Sequence, residues 1–208
     1  MILTELDVSV FIDHVASDSP APGGGSVAAL AAANGIALLG MVARLTVGKK
    51  KYAAHDELMN EIITEADKLR QKLVALIDSD TEAFKKVSAV FSMPKESDEQ
   101  KSARQQAMQQ ALKSAAEVPM EVMENCLIAL KITHNALGKS NTNAASDLGV
   151  AALMLGAGLK GAWLNVKINL SGIKDAQYTD EMAKKGEKIL CGADNLSTKI
   201  YDCVLEEL

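Results

Sequence analysis

A carboxylate stands where the pattern asks for a hydrocarbon. Between residues 54 and 92, Leu69, Leu73, Ile77, Phe84, Val87 and Phe91 recur at three- and four-residue spacing, which predicts one apolar face of a long helix. Asp80 falls on that line between Ile77 and Phe84, while Asp78 and Glu82 point elsewhere. Burying a carboxylate costs free energy unless it is paired or hydrogen-bonded. Such a residue either pairs with a buried donor and specifies packing, or has its pKa set by its surroundings for proton transfer. We favour the second, so Asp80 is the candidate catalytic residue.

Three other stretches carry groups suited to ligand binding. Ser19-Pro20-Ala21-Pro22-Gly23-Gly24-Gly25-Ser26 is a rigid, glycine-rich turn that feeds straight into an apolar helix. The first N–H groups of that helix have no partners within it, so Gly23, Gly24, Gly25 and Ser26 can bind an anion or a carbonyl. Lys49-Lys50-Lys51-Tyr52 is either a solvated basic surface or a landing site for an anionic tail. The loop Gly138 to Asp147 holds Asn141, Asn143, Ser146 and Asp147, more polar side chains than one helix cap requires. Asn165 and Asn169 lie four apart, on one face if their helix continues.

The elements that must position these groups read as helices throughout. Residues 3–16 form a short amphipathic helix with Leu6, Val10, Phe11 and Val15 on one face. The run from Val27 to about Val47 is almost wholly small and apolar, and is expected to be buried on nearly every side until Gly48 ends it. Met93-Pro94-Lys95 breaks the long helix of Asp80, and Ser97 with Gln100 resembles a capping box for a helix to about Glu117. Pro119 starts or kinks another, through Leu137. Asn143 is the expected N-cap of a second small-residue helix through about Trp163, and Thr179 starts the last one. Gly156 to Gly161 matches a dinucleotide fingerprint on paper, but it lies inside a helical run with no strand before it.

The 208 residues are read as one domain, 1–208, with a sizeable core and 3% aromatic content. A net charge of −5 argues against nucleic acid as a partner. Cys126, Cys191 and Cys203 are odd in number and form no CxxC pair, which predicts reduced thiols and a cytoplasmic setting. No cluster has metal-ligand spacing, no signal peptide is visible, and the run from Val27 to Val42 is shorter than the roughly 20 residues of a membrane span. The expected architecture is all-α: a multi-helix bundle with two buried small-residue helices, assembled as a homodimer.

Four segments together resemble the cyclodeaminase/cyclohydrolase family of folate one-carbon enzymes. They are Pro20 to Ser26; Met41-Val42 with Leu45 to Tyr52; Asp80-Thr81-Glu82-Ala83-Phe84 with Met93-Pro94-Lys95; and Asn141 to Asp147 with Asn165 to Asn169. The resemblance implies an all-helical fold, a homodimer or higher assembly, a tetrahydrofolate derivative as substrate, and no metal or bound cofactor. It leaves open the reaction. A formimidoyltetrahydrofolate cyclodeaminase closes N10 onto the formimidoyl carbon and expels ammonia. A methenyltetrahydrofolate cyclohydrolase adds water to the same carbon and opens a C–N bond, giving 10-formyltetrahydrofolate. No formiminotransferase domain is expected within these 208 residues, which leaves open whether the chain takes formimidoyltetrahydrofolate from a separate transferase or handles methenyltetrahydrofolate made elsewhere. We put the cyclodeaminase first, the cyclohydrolase second, and a non-enzymatic helical assembly protein third.

In either enzyme one carboxylate can take a proton and give one back, and Asp80 matches the family's acidic position before Ala-Phe. On that reading the Gly23–Ser26 backbone could bind the pterin or a carboxylate, Tyr52 could stack on a ring, and Lys49 or Lys51 could meet the glutamate tail; Asn141, Asn143 and Asp147 could bond the pterin edge, and Asn165 could orient Asp80 or the substrate. For each of them a structural role as turn, cap or helix contact is the competing reading.

Overall fold

The computed structural model describes residues 2–208, which contain six α-helices and no strand. They are α1 (Val8–Ala16), α2 (Gly24–Arg44), α3 (Asp56–Phe91), α4 (Asp98–Ala136), α5 (Ala145–Leu170) and α6 (Ala176–Glu207). α2 lies between α3 and α5; α4 covers α3 and α5, and α6 closes over α5 and α4. Both neighbours run antiparallel to α2, because Ser26 meets Ile77 and Arg44 meets Asp67 on one side, while Ala28 meets Gly158 and Gly35 meets Leu155 on the other. Small residues allow the second contact: a Cβ on Gly158 would stand 2.8 Å from the carbonyl oxygen of Ala28, and one on Gly35 would stand 2.9 Å from that of Ala151.

α3 and α5 pack along the length of α2 and α4 touches it more lightly, while another side of the helix is open in the single chain. Val27, Asn34, Ala37 and Met41 are exposed there. α2 and the segment Thr142–Leu170 are each long and apolar enough to cross a membrane, α2 being 21 residues long. The run from Val27 to Val42 is therefore part of a longer helix that reaches the length of a span. Here both helices instead supply core residues, with Ala29, Ala32, Ile36, Leu39, Ala152 and Leu155 fully buried.

Several boundaries differ from the expected ones. The N-terminal segment is a 3-10 turn, Leu3–Glu5, followed by α1, which buries Phe11 but leaves Val10 and Val15 exposed. α2 stops at Arg44, and Gly48 turns the chain with φ 77°. Phe84 and Phe91 on α3 are also exposed, since α4 and α2 do not cover the whole of its apolar stripe. The capping box of Ser97 and Gln100 is present. α6 begins three residues before Thr179, with Asp175 accepting from the N–H of Tyr178.

α4 runs unbroken through Pro119. A proline has no N–H to give the carbonyl four residues earlier, which here belongs to Ala115. Asn169 Nδ2 donates to that carbonyl at 3.0 Å, so a side chain from α5 replaces the missing backbone bond. α5 can do this because it continues to Leu170, beyond Trp163.

Candidate functional site

The N-terminus of α2 and the second half of α3 enclose a pocket of about 310 Å³. This is at the small end of the ~300–1,000 Å³ typical of ligand sites. Its walls include Gly23, Gly24 and Gly25 from the turn, Asp80, Thr81 and Phe84 from α3, and Ala115, Asn165 and Asn169 from α4 and α5. Asp80 is the one ionisable group in this lining, among the described residues.

Asp80 owes its place to Gly25. A Cβ on Gly25 would lie 2.0 Å from Oδ1, so only glycine lets the carboxylate rest against the first turn of α2. Ser26 Oγ lies within donating distance of Asp80 Oδ2, at 3.1 Å, and both this hydroxyl and the Ser26 backbone favour the ionised form. The helix N-terminus that was expected to receive a ligand is therefore partly occupied by the protein's own carboxylate. Burial pushes the pKa of Asp80 above the usual carboxylate range, and the two Ser26 donors oppose that rise. The group is thus partly desolvated, hydrogen-bonded and open to the pocket, the environment of a proton carrier.

The residues predicted for one site fall into two groups. Gly23, Gly24, Gly25, Ser26, Asp80 and Asn165 come together at the N-terminus of α2. Ser26 itself is fully buried, with Oγ also 2.8 Å from the Ile77 carbonyl and 3.2 Å from Thr81 Oγ1, so it does not reach a ligand. Asn165 lies beside Gly24, and its Nδ2 donates to the Gly161 carbonyl at 2.9 Å.

Lys49, Lys51, Tyr52, Asn141, Asn143 and Asp147 gather instead at the far end of α2. Its 21 residues separate the two groups within the chain by roughly 30 Å, at about 1.5 Å per residue. Tyr52 is buried, and its hydroxyl accepts from the N–H of Thr142 at 3.0 Å and lies 3.1 Å from Thr142 Oγ1. These bonds bring its pKa down to about 8, with Lys51 adding a smaller contribution. The hydroxyl of Tyr52 is thus held by the loop before α5. Asn141 is likewise spent on structure: its N–H donates to Thr46 Oγ1, its Nδ2 to the Leu45 carbonyl, and its Oδ1 accepts from Asn143. That last bond makes Asn141, rather than Asn143, the local cap, and a 3-10 turn (Thr142–Ala144) precedes α5. Lys49, Lys51 and Asn143 are exposed, and Asp147 is half-buried.

Sequence reasoning missed Thr81, Ala115 and Asn169 as pocket walls. Asn169 had a legible signal, because Pro119 on a continuous helix leaves the Ala115 carbonyl in need of a donor. Phe84 and Ile168 are exposed apolar residues at the pocket rim. Among the described residues, no group of three or more His, Cys, Asp or Glu side chains is placed to hold a metal ion.

The sequence model of one family, described as formiminotransferase-cyclodeaminase, matches residues 7–188. A methenyltetrahydrofolate cyclohydrolase from Methylorubrum extorquens is 39% identical over 197 residues, covering 95% of each chain. A formimidoyltransferase-cyclodeaminase from Gallus gallus is 37% identical over 191 residues, covering 88% of this chain and 34% of the relative, so this chain spans about a third of that protein. A crystal structure of formiminotetrahydrofolate cyclodeaminase from Thermotoga maritima superimposes with a TM-score of 0.87 at 30% identity, covering 97% of each chain.

Proposed function

We propose that this chain, which belongs to the formiminotransferase-cyclodeaminase family, is an enzyme of folate one-carbon metabolism acting as a methenyltetrahydrofolate cyclohydrolase. The order given by the sequence is thereby reversed, because a relative matched over 95% of its length at 39% identity bears the cyclohydrolase name. The observation that carries the chemistry is the Asp80 carboxylate, partly desolvated and facing a pocket with no other charge in its lining.

The methenyl bridge is a delocalised cation across N5 and N10, so an anionic carboxylate attracts it. Asp80 takes a proton from water as the water oxygen bonds to the bridging carbon. Protonated Asp80 then delivers that proton to N5 as the C–N5 bond breaks. The added hydroxyl loses its own proton to solvent and becomes the formyl oxygen, which balances the step with one proton released. The turn at Gly23 and Gly24 and the carboxamide of Asn165 flank the ring system.

The second reading is cyclodeamination, favoured by the name of the Thermotoga maritima structure of matching length. There Asp80 takes the N10 proton and returns it to the departing ammonia. The two are separated by following the methenyl chromophore with purified protein. Accelerated loss from methenyltetrahydrofolate is the expected result. Formation from formimidoyltetrahydrofolate with ammonia release, and no hydrolysis, would install the second reading. Neither activity in folded protein would overturn both and leave the helical assembly protein.

The site is best completed by a second copy. Positions 27, 31, 34, 38, 41 and 45 alternate steps of four and three residues down the open side of α2, and Val27, Met41 and Leu45 are exposed along it. On the adjoining α5, Val150, Leu153, Leu164 and Ile168 are exposed as well. Such a stripe is self-complementary in an antiparallel pair. Pairing about a two-fold axis near the middle of α2 brings Lys51 of the partner subunit towards the Asp80 end of this chain. That would supply the cations a folate tail needs and the pocket lining lacks. Met41→Glu should then give a monomer by sedimentation with turnover largely lost; a fully active monomer would overturn the shared site. The same reading puts the protein in the cytoplasm, with its three cysteines as free thiols.

A further inference from the structure

Ser26 Oγ has one hydrogen and three oxygen neighbours: the Ile77 carbonyl at 2.8 Å, Asp80 Oδ2 at 3.1 Å and Thr81 Oγ1 at 3.2 Å. A hydroxyl donates once and accepts twice. The Ile77 carbonyl can only accept, and within α3 it already faces the Thr81 N–H one turn on. Thr81 carries the only other hydroxyl in the cluster, so its hydrogen can satisfy Ser26 Oγ. Ser26 then has its own hydrogen to give to either Asp80 or Ile77. Rotation about a single C–O bond moves it between the two, with no heavy atom displaced.

That choice matters because the carboxyl has two oxygens. When Ser26 donates to Oδ2, a proton arriving on Asp80 is disfavoured there and goes to Oδ1. When Ser26 turns to Ile77, Oδ2 is free to hold the proton against Ser26 Oγ, away from any ligand. We propose that Ser26 is a positioning residue for Asp80, donating from Oγ to Oδ2 so that the exchangeable proton is carried on Oδ1, with Thr81 directing the Ser26 hydroxyl. The proposal rests on Asp80 being the acid/base group of the folate reaction for its kinetic arm only.

The surroundings make Ser26 the main influence on this carboxyl besides burial. No charged side chain faces Asp80, among the described residues, from the α2 segment Gly24 to Ser26, from Ala115 on α4, or from Asn165, Ile168 and Asn169 on α5. On its own helix, Asp78 turns away to the N–H of Leu3 and the hydroxyl of Thr4, and Glu82 pairs with Lys85.

The test is to titrate the Asp80 carboxyl by carbon-13 NMR in aspartate-labelled protein without substrate, assigning the signal by its loss in Asp80→Asn. Ser26→Ala removes a donor to the ionised form, so Asp80 should titrate at higher pH than in the parent. Hydrogen bonds to charged groups imply an effect of about tenfold or more in the protonation equilibrium. The acidic limb of the kcat/KM profile should move up in pH by the same amount, with recovery on the alkaline side. Thr81→Val, nearly isosteric, should shift both in the same direction by less, and Thr81→Ser should restore them. A titration unmoved in Ser26→Ala, or a uniform fall in activity at all pH values, would overturn the proposal. A shifted titration in a protein with no folate turnover would instead fail the functional reading and leave the Ser26–Asp80 relation standing.

Discussion

Asp80→Asn should lower turnover by about 10²–10⁴-fold, the usual contribution of a general acid/base, without loss of the fold. Asparagine has the shape of aspartate and can still accept from Ser26 Oγ, so the contact between α2 and α3 survives. It cannot take a proton from water or return one to N5, and it brings no negative charge to a cationic bridge. Both kcat and affinity for methenyltetrahydrofolate are therefore expected to fall.

The stability of the same variant distinguishes a chemical loss from a structural one. Burial raises the folded-state pKa of Asp80 above its unfolded value. The native state then binds the proton more tightly than the unfolded chain does. The favourable contribution is fully present below the unfolded pKa and is lost as pH rises through the folded pKa. At neutral pH the ionised carboxylate is therefore a burden to the fold. Asp80→Asn should melt at the parent's temperature or above it at pH 7, and this difference should shrink as both proteins are taken below the ordinary carboxylate range. A variant that melts well below the parent at pH 7 would point to a structural pairing, and near-normal turnover would remove Asp80 from the mechanism.

Asp80 was legible in the sequence because a carboxylate on an apolar stripe breaks a local rule, and sites are where such rules break. The glycine-rich turn was legible for the same reason. Their meeting was not, because it depends on α2 and α3 running antiparallel at a spacing set by Gly25, and one sequence carries no distances between helices. At Tyr52 and Asn141 a binding role and a structural one compete, and the contacts within the single chain are structural. Their chemistry suits a pterin, but the turn after Arg44 and the turn before Ala145 must satisfy their own polar groups where α2 ends beside α5. Asn141 bonds Thr46 and Leu45 for that purpose. Pro119 was read as a boundary because a local rule says that proline ends helices; the donor that lets α4 continue comes from Asn169, 50 residues away in the chain. Periodicity located the helices well and their ends less well, since ends are settled by caps such as Asp175 that compete with equally good neighbours.

Gly25→Ala should be nearly as damaging as loss of the carboxylate, at about 10²-fold in kcat, the cost of misplacing a catalytic group by around an ångström. The added methyl would lie 2.0 Å from Asp80 Oδ1, 2.4 Å from Cγ and 2.6 Å from Oδ2. Turning the carboxylate about its own axis does not relieve a clash with Cγ. Asp80 must leave its rotamer, and with it the Ser26 hydrogen bond, or α2 must part from α3. Alanine favours a helix over glycine by about 1 kcal/mol, so helix content should not fall. Gly192→Ala on α6 is the control, because its methyl would meet Leu127 Cδ1 at 3.7 Å, an ordinary contact outside the Asp80 pocket, and it should change turnover by no more than about 2-fold, a few tenths of a kcal/mol. The double variant Gly25→Ala with Asp80→Asn gives the sharper result. If glycine acts only by seating the carboxylate, the second substitution adds little to the first, whereas independent effects would multiply. Near-parental activity in Gly25→Ala would mean that Asp80 reaches the reacting atoms from some other position than the one seen here.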